Sequence, residues 1–234
     1  MKHEEVRRNE TMVSFGITLQ QRASSMDDLD GIAERIRTGF ETRNNARDTA
    51  LQRARTMTRH CAHAIRAVHR AERDKALAEI AAARAIVDVI LDDLAPHPDL
   101  YHAGYTQDAM KEFAEANIVY ALVGGEPLPS PQELRVEDAA YLNGLAEAVG
   151  ELRRRCLDIL RHDHSEEAER LMDMMEDIYS VLVTMDFPEA ITAGLRRSTD
   201  LVRGMIERTR GDITISLRQQ KLQQALREVS EKLS

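Results

Sequence analysis

Four glutamates lie on two predicted helices, at spacings that place each pair on one helix face. Glu112 and Glu115 are three residues apart, and Glu147 and Glu151 are four apart. The first pair shares its face with apolar residues one turn on, and the second lies beside small residues. Acids in such surroundings need compensating partners. If the two helices face each other, the four carboxylates could hold a hard divalent cation such as Mg²⁺ or Mn²⁺, because these ions prefer oxygen ligands.

A divalent cation among these acids would suit phosphodiester hydrolysis, since it activates water near neutral pH and stabilises charge on the phosphate. Glutamates at this spacing are also common on ordinary helices, so a purely structural role stays open. Di-iron bundles use Glu-x-x-His motifs, and the helices carrying these pairs contain none. The sequence has no P-loop, no glycine-rich dinucleotide fingerprint and no arrangement typical of a serine or cysteine nucleophile.

A basic stripe marks the first long predicted helix. Between Arg35 and Lys75, eleven basic residues stand against four acidic ones. Basic side chains and one histidine recur there at spacings of three and four, which places them on one face; they are Arg55, Arg59, His63, Arg66, Arg70 and Arg73. Such a stripe could follow a phosphate backbone. It could equally be a solvated face that pairs with the acidic segment between Asp158 and Glu189.

Composition limits the class of protein. The 234 residues are 43% hydrophobic, 31% charged and only 4% aromatic, which favours helix over sheet. The net charge of −8 speaks against bulk attraction to nucleic acid or to an anionic membrane. Two cysteines do not make a disulfide framework, so we expect a reducing, cytoplasmic location. No apolar stretch is long enough to span a bilayer, so we expect a soluble protein with no membrane partner.

Prolines divide the chain into long segments with helical periodicity. We predict an all-α, single-domain bundle of six to seven helices over residues 25–234, preceded by a flexible N-terminal arm over residues 1–24. The residues from Ser130 to Glu133 predict a short helix with a capping box. The six long helices are predicted at about Ser24 to His69, Glu72 to Ala95, Tyr105 to Val123, Val136 to Arg161, Ser165 to Met185, and Pro188 to Leu233.

Four segments together resemble the translin family, in particular its prokaryotic members and the translin-associated factor X branch. The match extends over roughly residues 26–225 in the order and length of the helices. The ordered set of segments carries the resemblance, since no single motif identifies the family. The segments are Ala64–Arg70, Lys111–Ala116, Tyr141–Leu152 and Gly194–Asp200.

The resemblance implies a subunit of about seven helices that assembles into a hollow homo-octameric barrel, with nucleic acid bound on its inner surface. It also implies an Mg²⁺-dependent endoribonuclease that cleaves single-stranded or short RNA. The family's catalytic and metal-binding acids fall on Glu112, Glu115, Glu147 and Glu151 of this chain. One departure is Glu147, which stands where the eukaryotic factor X pattern has Asp and is one methylene longer.

The nucleic acid, RNA or single-stranded DNA, needs cations and aromatic rings beside the acids. We predict these contacts at Arg59, His63, Arg66, Arg70, Tyr101, His102, Arg196 and Arg197. Two alternatives stay open: a non-catalytic barrel that binds single-stranded RNA or DNA, as in the translin branch, and a helical scaffold that binds no nucleic acid. Metal-dependent cleavage would separate the first alternative from the nuclease, and salt-sensitive RNA affinity would exclude the second.

Overall fold

The structure is a computed structural model that describes residues 19–161 and 166–233. Within these ranges the chain forms nine α-helices and no β-strand. The helices are α1 Leu19–His69, α2 Arg73–Leu94, α3 Pro98–Tyr101, α4 Gly104–Gly124, α5 Pro131–Leu134, α6 Asp138–Leu160, α7 Glu166–Leu182, α8 Glu189–Thr192 and α9 Leu195–Leu233. The all-α prediction is confirmed. Most of the predicted N-terminal arm, residues 1–18, lies outside the described residues.

The six long helices correspond to α1, α2, α4, α6, α7 and α9. Helix α1 begins at Leu19, before the predicted start at Ser24, and ends at His69 as predicted. The capping box is confirmed, because Ser130 Oγ accepts from the Glu133 backbone N–H while the Glu133 carboxylate accepts from the Ser130 backbone N–H. The single-turn helices α3 and α8 were not predicted, since four residues show no periodicity.

The last predicted helix is wrong in one respect, because the chain does not run as one helix from Pro188. It turns at Ala193 and Gly194, whose φ angles of 50° and 84° are left-handed. The buried Asn143 side chain of α6 stabilises this turn by donating to the carbonyl oxygen of Thr192 at 2.9 Å. Ser198 Oγ of α9 donates back to Asn143 Oδ1 at 3.0 Å. These bonds connect residues far apart in sequence, so local pattern could not indicate them.

Of the described residues, those from Asp48 onward belong to one compact unit and those up to Arg47 belong to another. In the larger unit, α6 contacts α4, α7 and α9, and α2 contacts α4. Its core is built from aliphatic side chains and one aromatic ring, including Met57, Ile90, Phe113, Leu152 and Met175. In the smaller unit, α1 exposes four large apolar side chains: Leu29, Ile32, Ile36 and Phe40.

Helices α4 and α6 approach each other closely at Gly144. A methyl group at this position would lie 2.7 Å from the backbone oxygen of Lys111 and 3.0 Å from the backbone nitrogen of Glu115. Both contacts are to backbone atoms, which cannot rotate away as a flexible side chain can. The missing side chain of Gly144 therefore sets the distance between the two helices that carry the four predicted acids.

A tight turn ends α1 directly after His69. The backbone N–H of Ala71 donates to the carbonyl of Val68 at 3.0 Å, and that of Glu72 donates to the carbonyl of Ala67 at 2.9 Å. This is the hydrogen-bond pattern of a Schellman motif, with Ala71 in the left-handed position at φ 58°. The turn brings α2 back along α1, where His60 contacts Glu79 and Arg53 contacts Asp93.

Replacing Gly144 by alanine should destabilise the protein. The added methyl group meets backbone, so the helices must separate, at a cost of about 1–3 kcal/mol in the free energy of unfolding. Gly211→Ala in α9 is the matched control: its new methyl group meets nothing within 4 Å, and we expect it to stabilise by roughly 0.5–1 kcal/mol. Urea unfolding followed by circular dichroism measures both. An equal effect of the two changes would contradict the close approach.

Candidate functional site

Three of the four predicted acids converge at the contact between α4 and α6. Glu112, Glu115 and Glu147 each present a carboxylate oxygen, and the three oxygens lie within 4.8 Å of one another. The first two lie one turn apart on α4, and Glu147 lies one turn beyond Gly144 on α6. Glu115 is buried and Glu112 is partly buried, whereas 40% of the Glu147 side chain is exposed, so the cluster has a closed side and an open side. Carboxylate oxygens arranged in this way can bind a divalent cation.

The two acids of α6 have basic partners. Lys111 Nζ donates to Glu147 Oε1 at 2.6 Å. His69 Nε2 lies 2.5 Å from Glu151 Oε2, and Arg154 Nη1 lies 3.6 Å from the same oxygen. Glu151 therefore lies beside the three-acid cluster but is bound to the end of α1.

The electrostatics of the four acids differ because their surroundings differ. Burial, together with the charges of Glu112, Glu147 and Glu151, raises the pKa of Glu115 to about 8. Burial and the charge of Glu147 also raise the pKa of Glu112. In contrast, the hydrogen bond from His69 lowers the pKa of Glu151. The pair on α4 thus carries the unfavourable charge that a bound cation would relieve.

Helix α1 borders the acids on the protein side. Cys61 of α1 is fully buried, and its pKa is raised by burial and by the nearby charges of Glu112 and Glu115. Two turns further on, His69 contacts Glu151. The α1 segment between Cys61 and His69 therefore contacts α6 through Glu151 and lies near the acids of α4.

The same part of α1 carries the predicted basic stripe. Arg59, Arg66 and Arg70 are exposed, and His63 is partly exposed. Arg66 Nε donates to the carbonyl oxygen of Ala62 at 3.0 Å, which orients its guanidinium along the helix. His63 Nδ1 lies 3.6 Å from a carboxylate oxygen of Glu79. The predicted cations are thus on the helix that borders the acids, although their contacts with nucleic acid stay a prediction.

The remaining predicted binding residues lie in two other places. Tyr101 is the last residue of α3 and His102 follows it. Their rings pack edge to face, with centroids 4.9 Å apart. Tyr101 is partly buried and His102 is exposed. Arg196 and Arg197 are exposed in the first turn of α9 and line a cavity of about 750 Å³ between the end of α7 and the start of α9. Their roles in binding also stay predictions.

Comparisons with known proteins find relatives of this chain in sequence and in structure. No family model matches the chain. The chain is 32% identical over 214 residues to the uncharacterized protein MJ0175 of Methanocaldococcus jannaschii, covering 90% of this chain and 92% of that protein. Among solved structures it resembles AfC3PO in a complex with duplex RNA, with 32% identity, a TM-score of 0.71, and coverage of 79% of this chain and 95% of that one.

The chain belongs to the translin family, of which these C3PO proteins are members. The crystal structure of AfC3PO gives 33% identity and a TM-score of 0.72, over 79% of this chain and 96% of that one. The structure of apo-NeC3PO, at 19% identity and a TM-score of 0.71, covers the same shares and shows a common fold. The translin-family resemblance drawn from four segments is therefore confirmed.

Two side chains of this candidate site, Lys111 and His69, were not predicted as site residues. Lys111 adjoins Glu112 in sequence, and a basic residue beside an acidic pair could have been noticed. His69 is 82 residues away from Glu151, and only the packing of α1 on α6 brings them together. Glu147, the longer substitute for the family's aspartate, still reaches the cluster.

None of the described helices combines the length and the apolar character that crossing a membrane requires.

The charge of the cluster makes the metal-free protein sensitive to pH. Because the pKa of Glu115 is raised in the folded state, the folded state binds more protons than the unfolded state between the ordinary carboxyl value and about pH 8. The free energy of unfolding therefore falls as the pH rises from the ordinary carboxyl value to about 8, because Glu115 loses its proton in the folded state. In EDTA, Glu115→Gln should raise the melting temperature at about pH 8 and change it little at about pH 5, since the amide resembles the protonated acid.

Glu115→Gln also tests whether a divalent cation binds to the three-acid cluster. Millimolar Mn²⁺ should raise the melting temperature of the wild type, because a ligand that binds only the folded state stabilises it. It should leave Glu115→Gln almost unchanged. Equal stabilisation of both proteins would show that the cation binds elsewhere.

Proposed function

We propose that this protein is an Mg²⁺-dependent endoribonuclease. The observation that carries the proposal is the three-carboxylate cluster bordered by a helix with exposed arginines. A phosphodiester substrate brings further negative charge to the acids, so its binding requires both a cation among them and basic side chains around them. RNA as the substrate is supported by AfC3PO, a relative whose structure was solved with duplex RNA.

The acids and the arginines would have different roles, because their surroundings differ. Glu112, Glu115 and Glu147 would hold the cation, since their oxygens already lie within 4.8 Å of one another. When bound, Mg²⁺ supplies stabilisation of charge on the phosphate and activation of water, the two needs of phosphodiester hydrolysis. Mn²⁺, which prefers the same ligands, is expected to substitute. Arg59, Arg66 and Arg70, which are exposed on α1, would bind phosphates elsewhere along the RNA backbone.

A non-catalytic nucleic-acid-binding protein is the second candidate, and one observation favours it. Two of the four acids, Glu147 and Glu151, already have basic partners in Lys111 and His69. Ion pairs of this kind also serve structure alone. The candidate predicts RNA affinity that decreases with salt and no cleavage.

Cleavage of labelled RNA separates the two candidates. We expect purified protein to cleave a single-stranded RNA or a short duplex in Mg²⁺ and not in EDTA. The double variant Glu112→Ala, Glu115→Ala should lose cleavage while retaining RNA binding. Its matched control is Glu228→Ala, Glu231→Ala, a pair of exposed glutamates at the same spacing on α9, which should cleave as the wild type does. RNA bound without cleavage in every case would establish the binding protein instead.

We further propose that the protein is a homo-oligomer, assembled as the family resemblance implies into an octameric barrel. Support comes from a group of exposed large apolar side chains near the end of α7, at α8 and at the start of α9. They are Val181, Val183, Phe187, Ile191 and Leu201, and each is at least 45% exposed. Groups of exposed apolar residues of this kind commonly mark protein interfaces.

Introducing a charge in this group should dissociate the assembly. Phe187 is 60% exposed, so Phe187→Asp should leave the subunit folded but place an unpaired charge in the contact. Light scattering coupled to size exclusion should then report a lower mass than that of the wild type. Leu77→Asp is the control, since Leu77 is a comparably exposed residue of α2. A mass unchanged by Phe187→Asp would place the interface elsewhere.

A further inference from the structure

Glu151 differs from the other three acids in its interaction partner, which is a histidine of α1. Its Oε2 atom lies 2.5 Å from His69 Nε2, whereas Glu112, Glu115 and Glu147 face one another. Glu151 nevertheless lies one helical turn from Glu147 and close enough to Glu115 for its charge to act there. Glu151 is therefore a neighbour of the three-acid cluster, but its hydrogen-bond partner lies on α1.

The His69 ring has little freedom to move. Its side chain is only 6% exposed, and its backbone is fixed by the tight turn that ends α1. Within the described structure, its Nδ1 atom is buried and has no hydrogen-bond partner. The hydrogen of the neutral ring is therefore best placed on Nε2, where it can be donated to the Glu151 carboxylate. A buried atom left without a partner is unfavourable, and such costs are tolerated chiefly at strained or functional sites.

Lys111, the partner of Glu147, is held less firmly than His69. The side chain of Glu147 is 40% exposed and that of Lys111 is 21% exposed. A lysine ammonium on a flexible stem can leave the carboxylate and remain hydrated. If Glu151 turned toward the cluster, however, both ring nitrogens of His69 would lie buried without a partner. Glu147 can thus be released to a cation, whereas the Oε2 atom of Glu151 can bind one only by giving up its contact with His69, and Glu151 is not among the acids whose oxygens already converge.

We infer that His69 is a positioning residue, which keeps the Glu151 carboxylate outside the cation's ligand set and directed at the water that attacks the phosphodiester. This inference rests on the proposed nuclease function and divides the four acids into two roles. Three acids bind the cation. The fourth, Glu151, would accept a proton from the attacking water as the water oxygen bonds to phosphorus. The P–O bond to the leaving ribose oxygen then breaks, and that oxygen takes a proton from solvent. His69 fixes the orientation of the Glu151 carboxylate for this step.

Metal binding tests the division without any need for cleavage. Isothermal titration with Mn²⁺ should give dissociation constants for Glu151→Gln and His69→Leu within about twofold of the wild type, because neither residue is a ligand. Glu115→Gln should weaken Mn²⁺ binding by about tenfold or more, as expected on removal of one oxygen ligand from a small set. If Glu151→Gln weakens Mn²⁺ binding as much as Glu115→Gln does, Glu151 is a ligand and the inference is wrong.

Kinetics test the positioning role. His69→Leu should lower kcat by about 10- to 100-fold, the range typical for residues that orient a group of a metal site, with KM for RNA changed little. His69→Gln should restore most of kcat, because its side-chain amide can also donate to Glu151. The matched control is His60→Gln, since His60 forms a similar pair with Glu79 at 2.6 Å away from the acids. This variant should cleave as the wild type does.

The outcomes separate this inference from the function on which it rests. If the wild type itself shows no metal-dependent cleavage, the nuclease proposal fails. If the wild type cleaves and His69→Leu, with an unchanged melting temperature, cleaves equally well, the positioning role alone is wrong. If His69→Leu does not fold, Glu151→Gln decides: it retains an acceptor for His69, and it should lose kcat while keeping Mn²⁺ affinity. Full activity of that variant would overturn the inference.

Discussion

The close approach of α4 and α6 at Gly144 is the constraint on which the candidate site depends. A side chain at this position would meet the backbone of Lys111 and Glu115, so only glycine lets the two helices lie at this distance. At that distance, acids from both helices bring their oxygens within 4.8 Å of one another. Core packing thus buries Glu115 and draws together carboxylates that repel one another, and the raised pKa of Glu115 reflects its burial first and that repulsion second. A stability cost at a functional site is a common feature of enzymes.

The surrounding elements offset part of this charge. Lys111 lies on the same helix as two of the acids and donates to a third. Helix α1 ends at a tight turn that places His69 against Glu151, and the same helix carries the exposed arginines. The acids and Lys111 therefore lie on α4 and α6, and α1 adds His69 and a basic surface. The proposed chemistry needs all three, since a cation must be bound while a polyanion approaches.

Much of the fold could be predicted from sequence because it is encoded locally. Helical periodicity and prolines placed the six long helices, and the capping box of Ser130 and Glu133 was visible as a four-residue pattern. The break at Ala193 and Gly194 was missed, because an alanine gives no local sign of a left-handed conformation. That turn is stabilised by Asn143, some fifty residues earlier in the chain. The single turns of α3 and α8 are too short to show periodicity.

The sequence by itself determined the helical class, the four acids as candidates and the family. It did so because spacing along a helix and ordered segments are properties of the linear chain. Only the tertiary structure decided which carboxylates meet, that Glu151 is bound to His69 instead, and that Lys111 lies among the acids. These outcomes depend on how α1, α4 and α6 pack against one another. A contact between residues 82 positions apart has no signature in the spacing of either one.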